Sequence, residues 1–150
     1  MVDKFDDLIK NGMAGIAIVS KEEAAQIPVL VLAYVGDAVY ELFVRSWIVA
    51  TEQVPVKQLH KHAVAFVSAK AQCASLMKIA DMLSETEQDI VRRGRNSKTT
   101  SSPKNVSIVD YRHATAFEVL IGYLYLSGQM QRLYDIIKLT FSDETKNGEK

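Results

Sequence analysis

The chain has 150 residues, 48% apolar and 24% charged, with 18 basic and 18 acidic side chains and a formal net charge of zero. That is the size and composition of one ordinary globular domain able to bury a full core, and neutrality excludes the global positive field that announces a nucleic-acid binder. A single cysteine, Cys73, excludes an internal disulfide, and the acidic start "MVDKFDDLIK" has no apolar signal core, so a reducing, cytoplasmic setting is expected.

Apolar residues recur at helical spacing along nearly the whole chain, interrupted by three prolines, with no competing strand pattern or repeat. Ser20 and Glu23 have the S-x-x-E form of a capping box, predicting a short helix before Pro28. Pro28 suits a helix start and leads into the apolar run "VLVLAYVGDAVYELFVRSWIVA" (29–50). By length this run reaches across a bilayer, but Asp37, Glu41 and Arg45 within it predict a soluble core helix and no membrane partner. "TEQVPVKQ" breaks the chain near Pro55, and a second long helix is expected over 57–80, with Cys73 a small buried thiol inside it. Ser84 and Glu87 repeat the capping-box form, and their helix is expected to stop at Gly94, in the left-handed position past its end.

Residues 95–107, "RNSKTTSSPKNVS", are polar and rich in turn formers, which predicts a long exposed loop of the functional or disordered kind. Ser107 and Asp110 start a helix that runs through "RHATAFEVLIGYLYLSG" to Gly128. A last helix is expected over 131–141, before a frayed tail. The chain therefore reads as a single all-α domain, with an extension carrying a short helix over 1–27, a helical body over 28–141 and a flexible tail over 142–150.

Two acids sit in unlikely places. Asp37, Glu41 and Arg45 are spaced by four, so Asp37 has a simple account on the wet face of an amphipathic helix, with Glu41 and Arg45 in favourable i,i+4 order. Glu118 has no such account. It is the only charge between Ala114 and Leu126, and Gly122 lies one turn further along its face. Each of two very apolar helices thus carries a lone acid beside a glycine, and glycine admits the close approach of a backbone, a ligand or a metal shell. Two carboxylates brought together repel and raise a pKa unless a cation intervenes, and hard oxygen donors point to magnesium or manganese. His60 and His62 face different ways on a helix, and His113 stands more than one turn before Glu118. All three read as solvent-facing or partly packed. Trp47, Tyr34, Tyr40 and Tyr123 read as core or subunit contacts.

Neutrality conceals segregated charge. No acid lies between Glu52 and Asp81, where Lys57, Lys61, Lys70 and Lys78 fall. None lies between Asp89 and Asp110, where Arg92, Arg93, Arg95, Lys98 and Lys104 fall, with Asn96 among them. The second cluster straddles a helix end and a hydroxyl-rich loop, a composition suited to a phosphate backbone. Arg92 and Arg93 also have a plainer reading, as cations complementing a helix C-terminus. The loop lacks aromatics, which favours a duplex over a stacked single strand.

At this point a resemblance enters. "LAYVGDAVYELFVR" resembles the signature helix of the ribonuclease III catalytic domain, and "ATAFEVLIGYLYL" resembles that family's second acidic helix. "LHKHAVAFVSAKAQ", "RRGRNSK" and "YRHATAFE" are similar, more narrowly, to the Mini-III branch, which lacks a separate double-stranded-RNA-binding domain. The ordered set spans about 28–128. It implies the ribonuclease III endonuclease-domain bundle, a homodimer, and cleavage of both strands of duplex RNA with Mg2+ (Mn2+ substituting), leaving 5′-phosphate and 3′-hydroxyl ends. For Mini-III it implies maturation of 23S ribosomal RNA precursor ends, aided by a large-subunit ribosomal protein. By position Asp37 matches the aspartate of the G-D-A motif and Glu118 the catalytic glutamate, both metal ligands, with Glu41 a weaker helper through water. Arg92, Arg93, Arg95, Asn96, Lys98 and Lys104 are the expected RNA contacts, with Lys61 and Lys70 as weaker ones. Ala33, Thr115 and Lys70 stand where full-length ribonuclease III usually has acids. The alternative is a catalytically silent helical dimer that binds structured RNA.

Overall fold

From Ala114 to Leu124 every residue of one helix is buried except Glu118, the pattern of a helix enclosed by others on all sides. This helix is the axis of the computed structural model, which describes residues 2–97 and 102–141. Among the described residues every element is helical: α1 (Val2–Met13), α2 (Lys21–Gln26), α3 (Val29–Thr51), α4 (Val56–Val67), α5 (Ala69–Ile79) with a 3-10 turn at Ala80–Met82, α6 (Glu85–Arg95), α7 (Ile108–Leu126) and α8 (Met130–Phe141). α3, α5 and α6 pack directly on α7, and α3 does so most extensively. Among the described residues no single helix is long and apolar enough to cross a membrane.

Local chemistry explains most helix ends. The side chains of Ser20, Ser84 and Ser107 accept the backbone N–H of Glu23, Glu87 and Asp110 at 3.1, 3.2 and 3.0 Å. Only Ser84 and Glu87 complete the reciprocal box, with Ser84 N–H donating to Glu87 at 2.8 Å. Pro28 caps α3 and Pro55 caps α4. Beyond α7, Gly128 is left-handed and the Gln129 N–H returns to the Leu124 carbonyl at 2.9 Å, the bond of a Schellman ending. Of the four aromatics read as core or subunit contacts, three pack within the chain: Tyr40 meets Phe117 edge-on at 4.9 Å, Trp47 packs on Phe141 at 5.2 Å and Tyr123 is buried, while Tyr34 is exposed.

Three features differ from the sequence reading. The helix expected over 57–80 is two helices bent by 46°. Ser68 takes an extended conformation between them and its side chain accepts the Ala71 N–H at 3.2 Å, because a serine hydroxyl competes for backbone groups and favours caps over helix interiors. Gly94 lies inside α6 rather than past its end, and Asn96 is the cap at φ −88°. A Cβ at Gly94 would stand 3.0 Å from the Ala116 Cα, so this glycine lets α6 press onto α7. α1 is an additional helix within 1–27, and the segment after it is not loose. Ile18 and Val19 both donate to the Leu126 carbonyl, at 2.9 and 3.0 Å, and Ala24 is fully buried. The expected tail over 142–150 lies outside the described residues.

The contact between α3 and α7 is made by backbone. A Cβ at Gly36 would fall 1.8 Å from the Glu118 carbonyl oxygen, and one at Gly122 would fall 2.0 Å from the Leu32 carbonyl oxygen. Neither neighbour is a side chain that can swing away, so the two helices approach this closely only because both positions lack a side chain. Gly36→Ala is expected to wedge the helices apart and destabilise the fold by about 3 kcal/mol or more, the upper range for overpacking. A denaturant melt of this variant beside Ala38→Gly, an exposed change on the same helix, measures it.

Candidate functional site

The glycine contact decides where the acids stand. Asp37 follows Gly36 on α3, and the carbonyl that Gly36 admits belongs to Glu118 itself. Asp37 lies on the exposed side of α3, not in the apolar interior, and Glu118 is half-buried. Burial and the charge of Glu41 raise the Asp37 pKa above its ordinary value. Burial, then the charge of Asp37, push Glu118 up to about 8, with Gln72 drawing it back. The two carboxylates therefore share one electrostatic environment, in which burial first and the charge of Asp37 second favour the protonated form of Glu118.

A hard divalent cation fits this pair. Its charge would remove the repulsion, and oxygen donors are what magnesium and manganese take. Among the described residues no cluster of three His, Cys, Asp or Glu side chains surrounds the point, so the fit is to an ion that keeps most of its coordination for water and substrate oxygen. Ala33 and Thr115 are both buried, and the Thr115 hydroxyl is used on the Tyr111 carbonyl at 3.0 Å.

Glu41 is shared between two roles. It pairs with Arg45 at 2.8 Å, as the i,i+4 spacing predicts, and it also acts on Asp37. The histidines have other partners or surroundings than Asp37 and Glu118: His62 Nδ1 lies 2.7 Å from Glu52, His113 Nδ1 lies 2.8 Å from the Val109 carbonyl, and His60 lines a groove between α3 and α4.

One residue of the site is absent from the sequence reading. Gln72 of α5 is 1% exposed, its side chain acts on Glu118, and its Nε2 makes no formed hydrogen bond. A buried donor left without a partner costs about 1–3 kcal/mol. The signal was in the pattern: positions 72, 76 and 79 fall on the core face of α5, where Leu76 and Ile79 are apolar and Gln72 is not.

The basic residues divide. Arg92 pairs with Asp89, and Arg93 lies 3.2 Å from the same carboxylate while donating to the Ala25 carbonyl at 2.9 Å. These two serve the end of α6 and its junction with α2, as the plainer reading has it. Arg95, Asn96 and Lys104 are exposed, as are Lys61 on α4 and Lys70 in the first turn of α5. Lys98 lies outside the described residues.

Comparison with known proteins gives a consistent answer. A ribonuclease III domain family matches residues 30–129. The Mini-ribonuclease 3 of Thermoanaerobacter sp. (strain X514) is 51% identical over 123 residues, covering 82% of this chain and 87% of that protein. The Mini-ribonuclease 3 of Brevibacillus brevis is 50% identical over 126 residues, covering 81% and 94%. A crystal structure of a protein from Fusobacterium nucleatum superposes with a TM-score of 0.72 at 32% identity, covering 79% of this chain and 95% of that one.

The raised Glu118 pKa has a signed consequence for stability. A folded-state value of about 8 against an ordinary 4.5 means the folded chain holds a proton that the unfolded chain has released. The contribution of this one group to metal-free stability is then fully present below pH 4.5 and declines as pH rises towards 8. Glu118→Gln removes this penalty. In chelator it is expected to melt above the parent at pH 8.5 and level with it at pH 4, as followed by thermal denaturation across that range.

Proposed function

The chain belongs to the Mini-ribonuclease 3 family of ribonuclease III endoribonucleases, and from that premise we propose that it hydrolyses both strands of duplex RNA with a divalent cation, Mg2+ or in its place Mn2+, leaving 5′-phosphate and 3′-hydroxyl ends. One observation carries the reading: Asp37 and Glu118, acids on separate apolar helices, face one another where paired glycines let those helices touch, and the deeper one is pushed up to about 8. Asp37 and Glu118 would hold the ion. Such an ion supplies an acidified water as nucleophile and offsets charge on the leaving oxygen. Glu118 is fixed by the enclosed α7, while Asp37, exposed on α3, is the carboxylate open to the substrate side.

Arg95, Asn96 and Lys104 are the proposed phosphate contacts, with Lys61 and Lys70 extending them along α4 and α5. A-form RNA offers phosphates and 2′-hydroxyls across a wide, shallow groove, which such side chains suit. Val31, Tyr34, Leu42 and Val49 form an exposed apolar face on α3, Tyr34 being 81% exposed. Tyr34 and Leu42 line one open groove with Asp37 and Glu41. A contiguous apolar face marks a protein contact, and α3 of a second copy is the proposed occupant, giving a homodimer with both sites beside its seam. The proposed biological substrate is the 23S ribosomal RNA precursor, met in the cytoplasm with a large-subunit ribosomal protein as helper; this part rests on the branch alone. The packed Ala33 and Thr115 favour a second reading, a silent dimer that only binds structured RNA.

With duplex RNA and magnesium the chain is expected to cut, and a chelator to stop it. Asp37→Asn and Glu118→Gln should each reduce cleavage to background while RNA binding persists. Binding without cutting by the parent chain selects the silent reading. For the contacts, Arg95→Ala and Lys104→Ala should each lower the slope of log affinity against log salt by about 1. An unchanged slope in a salt titration removes that residue from the interface.

A further inference from the structure

The contact between α6 and α7 has a direction. At one end Thr86 and Glu87 of α6 share a groove with Tyr123 of α7. At the other, a Cβ at Gly94 would meet Ala116 and Val119. The two helices are therefore antiparallel, and the last residues of α6 run toward the first turns of α7. Arg112 precedes Ala116 by four residues, about one helical turn, so it stands on the face of α7 that Gly94 covers at Ala116. That places it level with the end of α6, where Arg95 and the cap Asn96 stand, and Arg112 is exposed there. Lys104 joins the same helix end through the chain, on a turn closed by the Val106 N–H onto the Pro103 carbonyl at 3.2 Å, just before the Ser107 cap of α7. Asp110 separates Arg112 from the basic run in sequence, but residues two apart do not share a helix face. Among the described residues no ion pair engages Arg112. The C-terminal end of α6 already has Arg92, Arg93 and Arg95 in its last turn to complement its dipole.

We propose that Arg112 is a substrate-positioning residue, which grips one phosphate of the duplex and so sets which bond lies over Glu118. The inference rests on the duplex-RNA reading above and adds a residue to it. Phosphate contacts carry no sequence information, but they fix the register and orientation of a duplex. A guanidinium presents a planar fork to two phosphate oxygens, which the point charge of a lysine does not. Its place on the helix gives the grip its precision. Glu118 follows six residues later, about 9 Å along the same enclosed helix. Arg95 stands at a helix end and Lys104 on a turn, and a contact carried by the body of a helix is better fixed than one carried by a loop.

Arg112→Gln removes the charge and the fork. Its melting temperature and its Mn2+ affinity without RNA are expected to match the parent. On duplex RNA its slope of log affinity against log salt should fall by about 1. Lys138→Gln, the same charge change at an exposed position of α8, should leave that slope unchanged. At saturating RNA Arg112→Gln should cut up to about 100-fold more slowly, and its product ends, mapped by sequencing, should spread from the parent positions. Arg112→Lys should recover the slope without recovering the parent ends. Unchanged slope and ends overturn the proposal, as does a reduced slope with the ends in place, which is attraction without register. Should Arg112→Gln fail to fold, Arg112→Lys decides alone, and parent ends in that variant overturn the proposal. A parent chain that binds no duplex RNA, or binds without cutting, overturns the nuclease reading and this one together. An active parent beside an Arg112→Gln variant that cuts at the same ends overturns the role of Arg112 alone.

Discussion

Two backbone contacts set the relative positions of the two acids proposed to hold a cation: the Glu118 carbonyl against Gly36 and the Leu32 carbonyl against Gly122. Most helix pairs are held apart by side chains, whose rotamers leave some latitude in spacing and register. A contact between backbone atoms leaves much less. Once Gly36 faces Glu118 the register of α3 on α7 is determined, and Asp37, one residue on, has to lie near the Glu118 side chain. Enclosure of α7 on its other sides by α5 and α6 then removes freedom from Glu118. A ligand pair built on two packed helices is more rigid than one built on loops.

The chain contains its own control for the meaning of Glu118. Glu87 is also buried, at 4% exposure, yet its pKa lies below the ordinary value. Burial alone would raise it, but Arg132 donates to it at 2.7 and 3.0 Å and the Ser84 N–H at 2.8 Å. That is how a carboxylate is accommodated for structure, paired and hydrogen-bonded until its charge is compensated. Glu118 receives a neighbouring acid and a single neutral amide instead. The difference lies in what surrounds each side chain: Glu87 has a cation and hydrogen-bond donors, while Glu118 faces a second acid, the kind of strained environment that supports the role proposed for it.

What could be read from the sequence divides along physical lines. Features written in adjacent residues were legible: the serine caps at 20, 84 and 107, the Gly128 ending, and the lone acids beside glycines on α3 and α7. Features that depend on what lies across a helix interface were not. Gly94 has the same local signature whether it ends a helix or packs against Ala116. Ser68 lacks the acid three residues on that would have announced a cap, Ala71 standing there instead. Arg93 belonged to a basic cluster in sequence and to the Asp89 carboxylate and Ala25 carbonyl in space. For the same reason the pairing of Asp37 with Glu118 was an inference from composition until the glycine contact gave it a cause.

If the chain acts on duplex RNA as proposed, the thinness of its acid set bears on how a neutral chain would meet a polyanion. Every carboxylate at a metal site repels the phosphate it must act on, so two acids impose a smaller barrier to approach than four. The nearby cations are then asked for less. Arg92 and Arg93 are already engaged by Asp89, which leaves Arg95, Lys104 and the lysines of α4 and α5 to act on a substrate. In that arrangement attraction comes from where the charges lie, since their sum is zero. It is short-ranged as well, because at physiological ionic strength exposed charges are screened beyond about 8 Å. Under the proposed function an RNA duplex would therefore be held only once its phosphates lie against these side chains, and recognition would depend on fit to the surface around Asp37 more than on capture at a distance.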